Sequence, residues 1–125
     1  MQDISGIPDA GQQLINSYGN GGFRISGERY EGSVLIVPEN TCLWSLTEIG
    51  DLSVPSLQPI LDAKPPVEIL FIGCGASMVF IEESVRKPLR EAGITIESMD
   101  SGAAVRTYNV LLLEGRRVAA ALIAV

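Results

Sequence analysis

The hydrophobic positions of the chain follow two rhythms. Up to residue 46 they fall in short runs divided by turn signals. Ile15–Tyr18 reads as a short strand, Asn20-Gly21 as a hairpin turn, and Gly22–Ile25 alternates with period two. Ser26-Gly27 turns the chain and Glu28–Tyr30 returns it. Ser33–Val37 is apolar after its serine, Pro38-Glu39-Asn40 turns again, and Thr41–Leu46 forms a further strand. This spacing predicts a β-meander.

Beyond residue 50 strands alternate with helices. Ser53 suits an N-cap and Pro55 a first helical turn, with Leu57, Ile60 and Leu61 on one face. Pro59 should shorten or bend that helix, and Ala63-Lys64-Pro65-Pro66 ends it. Val67–Ile72 is short and β-branched, as a buried parallel strand is. Ile81, Val85, Leu89 and Ala92 mark the inner face of the next helix, with Arg86, Lys87 and Arg90 outward. Pro88 predicts a late start near Ser84 or a kink, Gly93 ends the helix, and Ile94–Met99 is a strand.

The last 27 residues are the clearest. Asp100 or Ser101 caps a helix whose apolar face is Ala104, Val105, Tyr108, Leu111 and Leu112. Gly115 supplies the positive φ that ends it, and Val118–Val125 is a strand covered on both faces. Strand–helix–strand–helix–strand implies an α/β fold with right-handed crossovers and helices covering a sheet. Residues 1–13 are polar, with Gly6, Pro8 and Gly11, and read as a flexible N-terminal arm. Residues 14–125 form one α/β domain, a mixed sheet whose N-terminal meander precedes βαβαβ.

Composition narrows the function. A chain of 125 residues, 46% hydrophobic, can build one real core without staples. Its net charge of −6 argues against nucleic-acid binding and against an anionic membrane surface. Two cysteines are no disulfide framework, and with no histidine most zinc sites and His-based triads are excluded. No apolar run approaches the ~20 residues of a spanning helix, and no signal or transit pattern opens the chain. The expectation is a soluble, cytoplasmic, bacterial protein without metal or cofactor.

Two stretches could carry chemistry. Gly73-Cys74-Gly75-Ala76-Ser77 follows a parallel strand, where glycines and free N–H groups can hold an anion; it lacks the third glycine of a dinucleotide fingerprint and the lysine of a phosphate loop. The plainer reading is a tight turn. Cys74 could be a nucleophile only with a basic neighbour such as Arg106; otherwise it packs. Cys42, beside Trp44, reads as core. Arg106, Thr107 and Asn109 are the polar residues of the last helix, and Arg106 and Asn109 share one side. They line a cleft with Gly73, Cys74, Gly75 and Ser77, or else Arg106 pairs internally with Asp100 or Glu97. Gly22, Phe23, Arg24 and Tyr30–Gly32 either present a docking surface or close the end of a small sheet.

Three stretches also carry a resemblance. Gly102–Val125 with its core at Ala103–Asn109, Tyr18–Pro38 and Val67–Gly75 resemble, in order and spacing, a small domain family of unknown function. Its better-known members include the mitochondrial NADH:ubiquinone oxidoreductase (complex I) assembly factor three and the adipogenesis-associated domain protein. The resemblance covers roughly Ile15 to the end and implies a three-layer α/β/α domain with an added β-hairpin region. Together with the missing catalytic constellation, it also implies a non-enzymatic interaction module whose partner is another protein; the alternative is a small-molecule or anion-binding protein, or a minor enzyme, using the cleft between Gly73–Ser77 and Arg106–Asn109. A homodimer through an edge strand of the meander is compatible with the sequence.

Overall fold

The strand Val118–Leu122 (β8) is buried at every residue, because it lies at the centre of a five-stranded sheet. A computed structural model describes residues 11–125. The first ten residues of the expected arm lie outside the described residues. Gln12 donates to the Leu112 carbonyl, and the Gln13 carboxamide accepts from the Thr41 hydroxyl.

The expected meander divides between two sheets. Ile15–Gly19 (β1), Gly22–Ile25 (β2) and Glu28–Glu31 (β3) form a separate antiparallel sheet. Val34–Val37 (β4) and Asn40–Leu43 (β5) instead join the main sheet, in which β4 runs antiparallel to β8. On the other side of β8 lie Ile69–Gly73 (β6) and then Thr95–Met99 (β7), both parallel to it. The physical reason is register. Val34 and Ile36 face one way and Leu35 the other, so β4 is apolar on both faces and needs cover on both.

That cover comes from two helical layers. On one face Leu35, Leu70, Ile72, Ala119 and Ala121 pack against a short helix, Gln58–Leu61 (α1), and against Glu83–Glu91 (α2). On the opposite face Val34, Ile36, Phe71, Ala120 and Leu122 meet Ser101–Leu113 (α3) together with Phe23 and Ile25 of the small sheet. The molecule is thus a three-layer α/β/α domain carrying an added three-stranded sheet.

The helix termini follow the chemistry of their residues. The Asp100 carboxylate accepts from the Ala103 N–H at 2.9 Å and caps α3. At the other end Gly115, at φ 85°, lets the Arg116 N–H reach the Leu111 carbonyl and the Gly115 N–H reach that of Leu112. Pro55 and Pro59 do shorten the first helix, which is a 3₁₀ turn over Pro55–Leu57 followed by four α-helical residues.

α2 starts late, at Glu83, as Pro88 led one to expect, and runs on through that proline; the carbonyl that proline leaves without a donor belongs to exposed Ser84, within reach of water. Arg86 does not point outward. It is half-buried, donating to the Ile81 carbonyl at 2.8 Å and the Ile96 carbonyl at 3.0 Å, because a long aliphatic stem can carry a charged head along an apolar surface to backbone acceptors. Ala92 is exposed at the cap, leaving Val85 and Leu89 as the buried face.

Candidate functional site

The three parallel strands all end beside the first residue of α3. Ser101 is fully buried there and ties the strand ends together. Its hydroxyl accepts from the Gly75 N–H at 3.0 Å and donates to the Ile123 carbonyl at 2.7 Å. Its own N–H donates to the Gly75 carbonyl. The Cys74 N–H donates to the Met99 carbonyl, and the Ile123 N–H to that of Gly73. A Cβ at Gly73 would lie 2.9 Å from Ser101 Cα, so a side chain there would push helix and strand apart. Gly75 turns the chain at φ +100°. The N–H groups of Cys74 and Gly75 are therefore spent on protein acceptors.

Cys74 is buried with its Sγ 3.7 Å from the Val79 carbonyl. Burial pushes its thiol up, and Asp100 adds to the rise, so the inert thiol is favoured over the thiolate a nucleophile needs. Ser77 is exposed. Cys42 is half-buried and packs against the core, and the Trp44 ring N–H donates to the Ser56 carbonyl.

The polar residues of α3 point to other work. The Asn109 carboxamide accepts from the Ile15 N–H and donates to the Ile15 carbonyl, so it is turned toward β1. The Thr107 hydroxyl donates to the Ala103 carbonyl one turn back in its own helix. Arg106 is exposed and reaches the Tyr18 hydroxyl at 3.4 Å; it makes no ion pair with Asp100, whose carboxylate caps the helix, or with Glu97. Tyr18 lies so close to Gly102 that a Cβ there would come within 2.6 Å of its hydroxyl. Thus Gly73 and Gly75 gather around Ser101, while Arg106 and Asn109 meet the small sheet.

Phe23 is wholly buried beneath α3 and Gly22 is buried against Tyr30 and Arg29, so this motif closes the small sheet, leaving Arg24 exposed. Burial also raises the pKa of the Tyr30 hydroxyl, with Glu28 adding to it.

One feature outside the expected residues stands on the surface just after the knitted loop. Met78, Val79 and Phe80 are 60%, 42% and 73% exposed. Three consecutive apolar residues in a loop between strand and helix were the available signal. The Arg86 guanidinium sits 5.4 Å from the Phe80 ring centre, within cation–π reach. Beside the loop runs an open groove of about 320 Å³ lined by Ile49, Leu52, Val79, Ile81 and Val85, with Glu82 at its edge. Among the described residues no cluster of three or more His, Cys, Asp or Glu is arranged to hold a metal, and no helix is long and apolar enough to cross a membrane.

The fold recurs in known proteins. Residues 15–123 match the family described as Protein of unknown function (DUF498/DUF598). An uncharacterised protein of Rhodobacter capsulatus is 38% identical over 91% of this chain and 86% of its own. The NADH dehydrogenase [ubiquinone] 1 alpha subcomplex assembly factor 3 of Danio rerio is 34% identical over 88% of this chain and 63% of its own length, and the Homo sapiens protein 32% over 87% and 59%. This chain therefore spans about three-fifths of the assembly factors it matches. Among solved structures, a Bartonella henselae protein described as an outer membrane protein superposes with a TM-score of 0.84 at 37% identity, covering 91% of this chain and 96% of that one. A Bordetella parapertussis protein gives 0.85 at 29% identity, covering 94% and all of that chain.

Proposed function

The chain belongs to the family described as Protein of unknown function (DUF498/DUF598), and from there we propose that it is a non-enzymatic, protein-binding module of the assembly-factor kind. The observation that carries this reading is the exposed run Met78–Val79–Phe80. Apolar side chains held on a surface lose water favourably only when another surface covers them. Its partner, by the relatives' names, would be a protein in the assembly of a respiratory NADH dehydrogenase. A cytoplasmic site of action belongs to the same proposal.

The other reading, an anion cleft between Gly73–Ser77 and Arg106–Asn109, draws less support. The Cys74 and Gly75 N–H groups and the Asn109 carboxamide already have protein partners. Affinity capture from the native cell with the full chain as bait tests the choice. A stoichiometric protein partner supports the module. Turnover of a metabolite that Arg106→Ala abolishes would overturn it.

A further inference from the structure

Resting on the protein-binding reading, we infer that the partner presents a basic segment with one large apolar side chain, and that this side chain enters the groove beside Phe80. Three observations lead there. The groove takes its apolar side chains from Ile49, Leu52, Val79, Phe80, Ile81 and Val85, while backbone and the side chains of Ser84 and Glu82 make its lining as polar as it is apolar. Its volume of about 320 Å³ lies at the bottom of the ~300–1,000 Å³ typical of small-molecule sites, and its open shape suits a side chain presented by another chain.

The second observation is charge. Glu82 lines the groove, and exposed Glu48 and Asp51 are chain neighbours of its lining residues Ile49, Gly50 and Leu52. None of the three is ion-paired among the described residues. Glu82, with Glu48 and Asp51 close by, outweighs the one neighbouring cation, Arg86 over Phe80, and this acidic surround with apolar side chains in the groove favours apolar anchors flanked by Lys or Arg. A second copy of this chain, at net charge −6, meets that surround with the wrong overall sign, and so does an anionic lipid surface.

The third is pre-organisation. Arg86 is fixed by the Ile81 and Ile96 carbonyls and lies over the Phe80 ring, so the most exposed aromatic has one favoured position on the surface. Binding through it costs little side-chain ordering, as an interface anchor requires.

Site-specific photo-cross-linking in the native cell tests this. A diazirine-bearing side chain is placed at Val79 in the groove and, separately, at exposed Val110 on α3. The expected result is a cross-link from Val79 to a segment of another protein rich in Lys or Arg around an apolar residue. A synthetic peptide of that segment should bind the full chain, weakening at least about tenfold with Phe80→Ser and with Glu82→Lys, and weakening further with added salt.

A cross-link from Val110 alone overturns the groove while leaving the protein-binding reading standing. Cross-links to a second copy of this chain, to lipid, or to a segment without basic residues also overturn the inference. Cross-links from neither position overturn both.

Discussion

The Asn109 side chain satisfies both backbone polar groups of Ile15, accepting from its N–H at 3.0 Å and donating to its carbonyl at 2.8 Å. Ile15 is buried, so this pairing fixes the edge of the small sheet to α3 without water. Asn109→Ala leaves a donor and an acceptor unmatched and should cost about 2–4 kcal/mol. Thr107→Ala, which removes a bond within one helix, should stay within about 0.5 kcal/mol. Urea unfolding of the two variants checks the contrast.

Ser101 carries the corresponding load at the sheet end. Ser101→Ala strands the Gly75 N–H and the Ile123 carbonyl in a fully buried place and should cost about 2–4 kcal/mol. Gly73→Ala should be worse, because its Cβ meets the Ser101 backbone rather than a flexible side chain. Thermal melting of both variants gives the order.

Alkaline pH should weaken the fold through Tyr108. Burial pushes its hydroxyl far above the ordinary range, and it donates to the Gln13 carbonyl at 2.9 Å. Above ~10 the unfolded chain releases the phenolic proton while the folded chain keeps it. The unfolded state then binds fewer protons, so stability is full below that pH and falls as pH rises toward the folded value. Tyr108→Phe should flatten this slope between pH 9.5 and 11.5, read from melting temperatures, while losing about 1 kcal/mol at neutral pH for the missing hydrogen bond.

Cys74 should behave as a core residue. It is buried with a raised thiol, whereas Cys42 is half-buried at the sheet edge. Iodoacetamide under native conditions should label Cys42 first and Cys74 only after unfolding. Peptide mass spectrometry reads the order.

How much of this was legible in the sequence depends on distance along the chain. The cap at Asp100, the stop at Gly115 and the apolar face of α3 are local, and they were readable because capping and periodicity act within one or two turns. The division of the meander was not, since it depends on which face of β4 finds cover. Asn109 and Ile15 are 94 positions apart, and no local rule links them. Arg106 pointed to Asp100 by proximity, but Asp100 was already committed to the helix cap, and the nearer hydroxyl belongs to Tyr18. At the candidate site, attention to glycines at the strand end stopped a few residues short of Met78–Phe80, an exposed apolar run equally visible in the sequence.

The surface loop supplies the decisive experiment. Phe80 is exposed and touches Arg86 from outside, so Phe80→Ser should change stability by no more than about 0.5 kcal/mol. Affinity capture from the native cell should therefore be run with wild type, Phe80→Ser and Arg106→Ala side by side. The account predicts one stoichiometric protein partner, retained by Arg106→Ala and lost by Phe80→Ser. A partner captured equally by Phe80→Ser, or lost with Arg106→Ala alone, would contradict it.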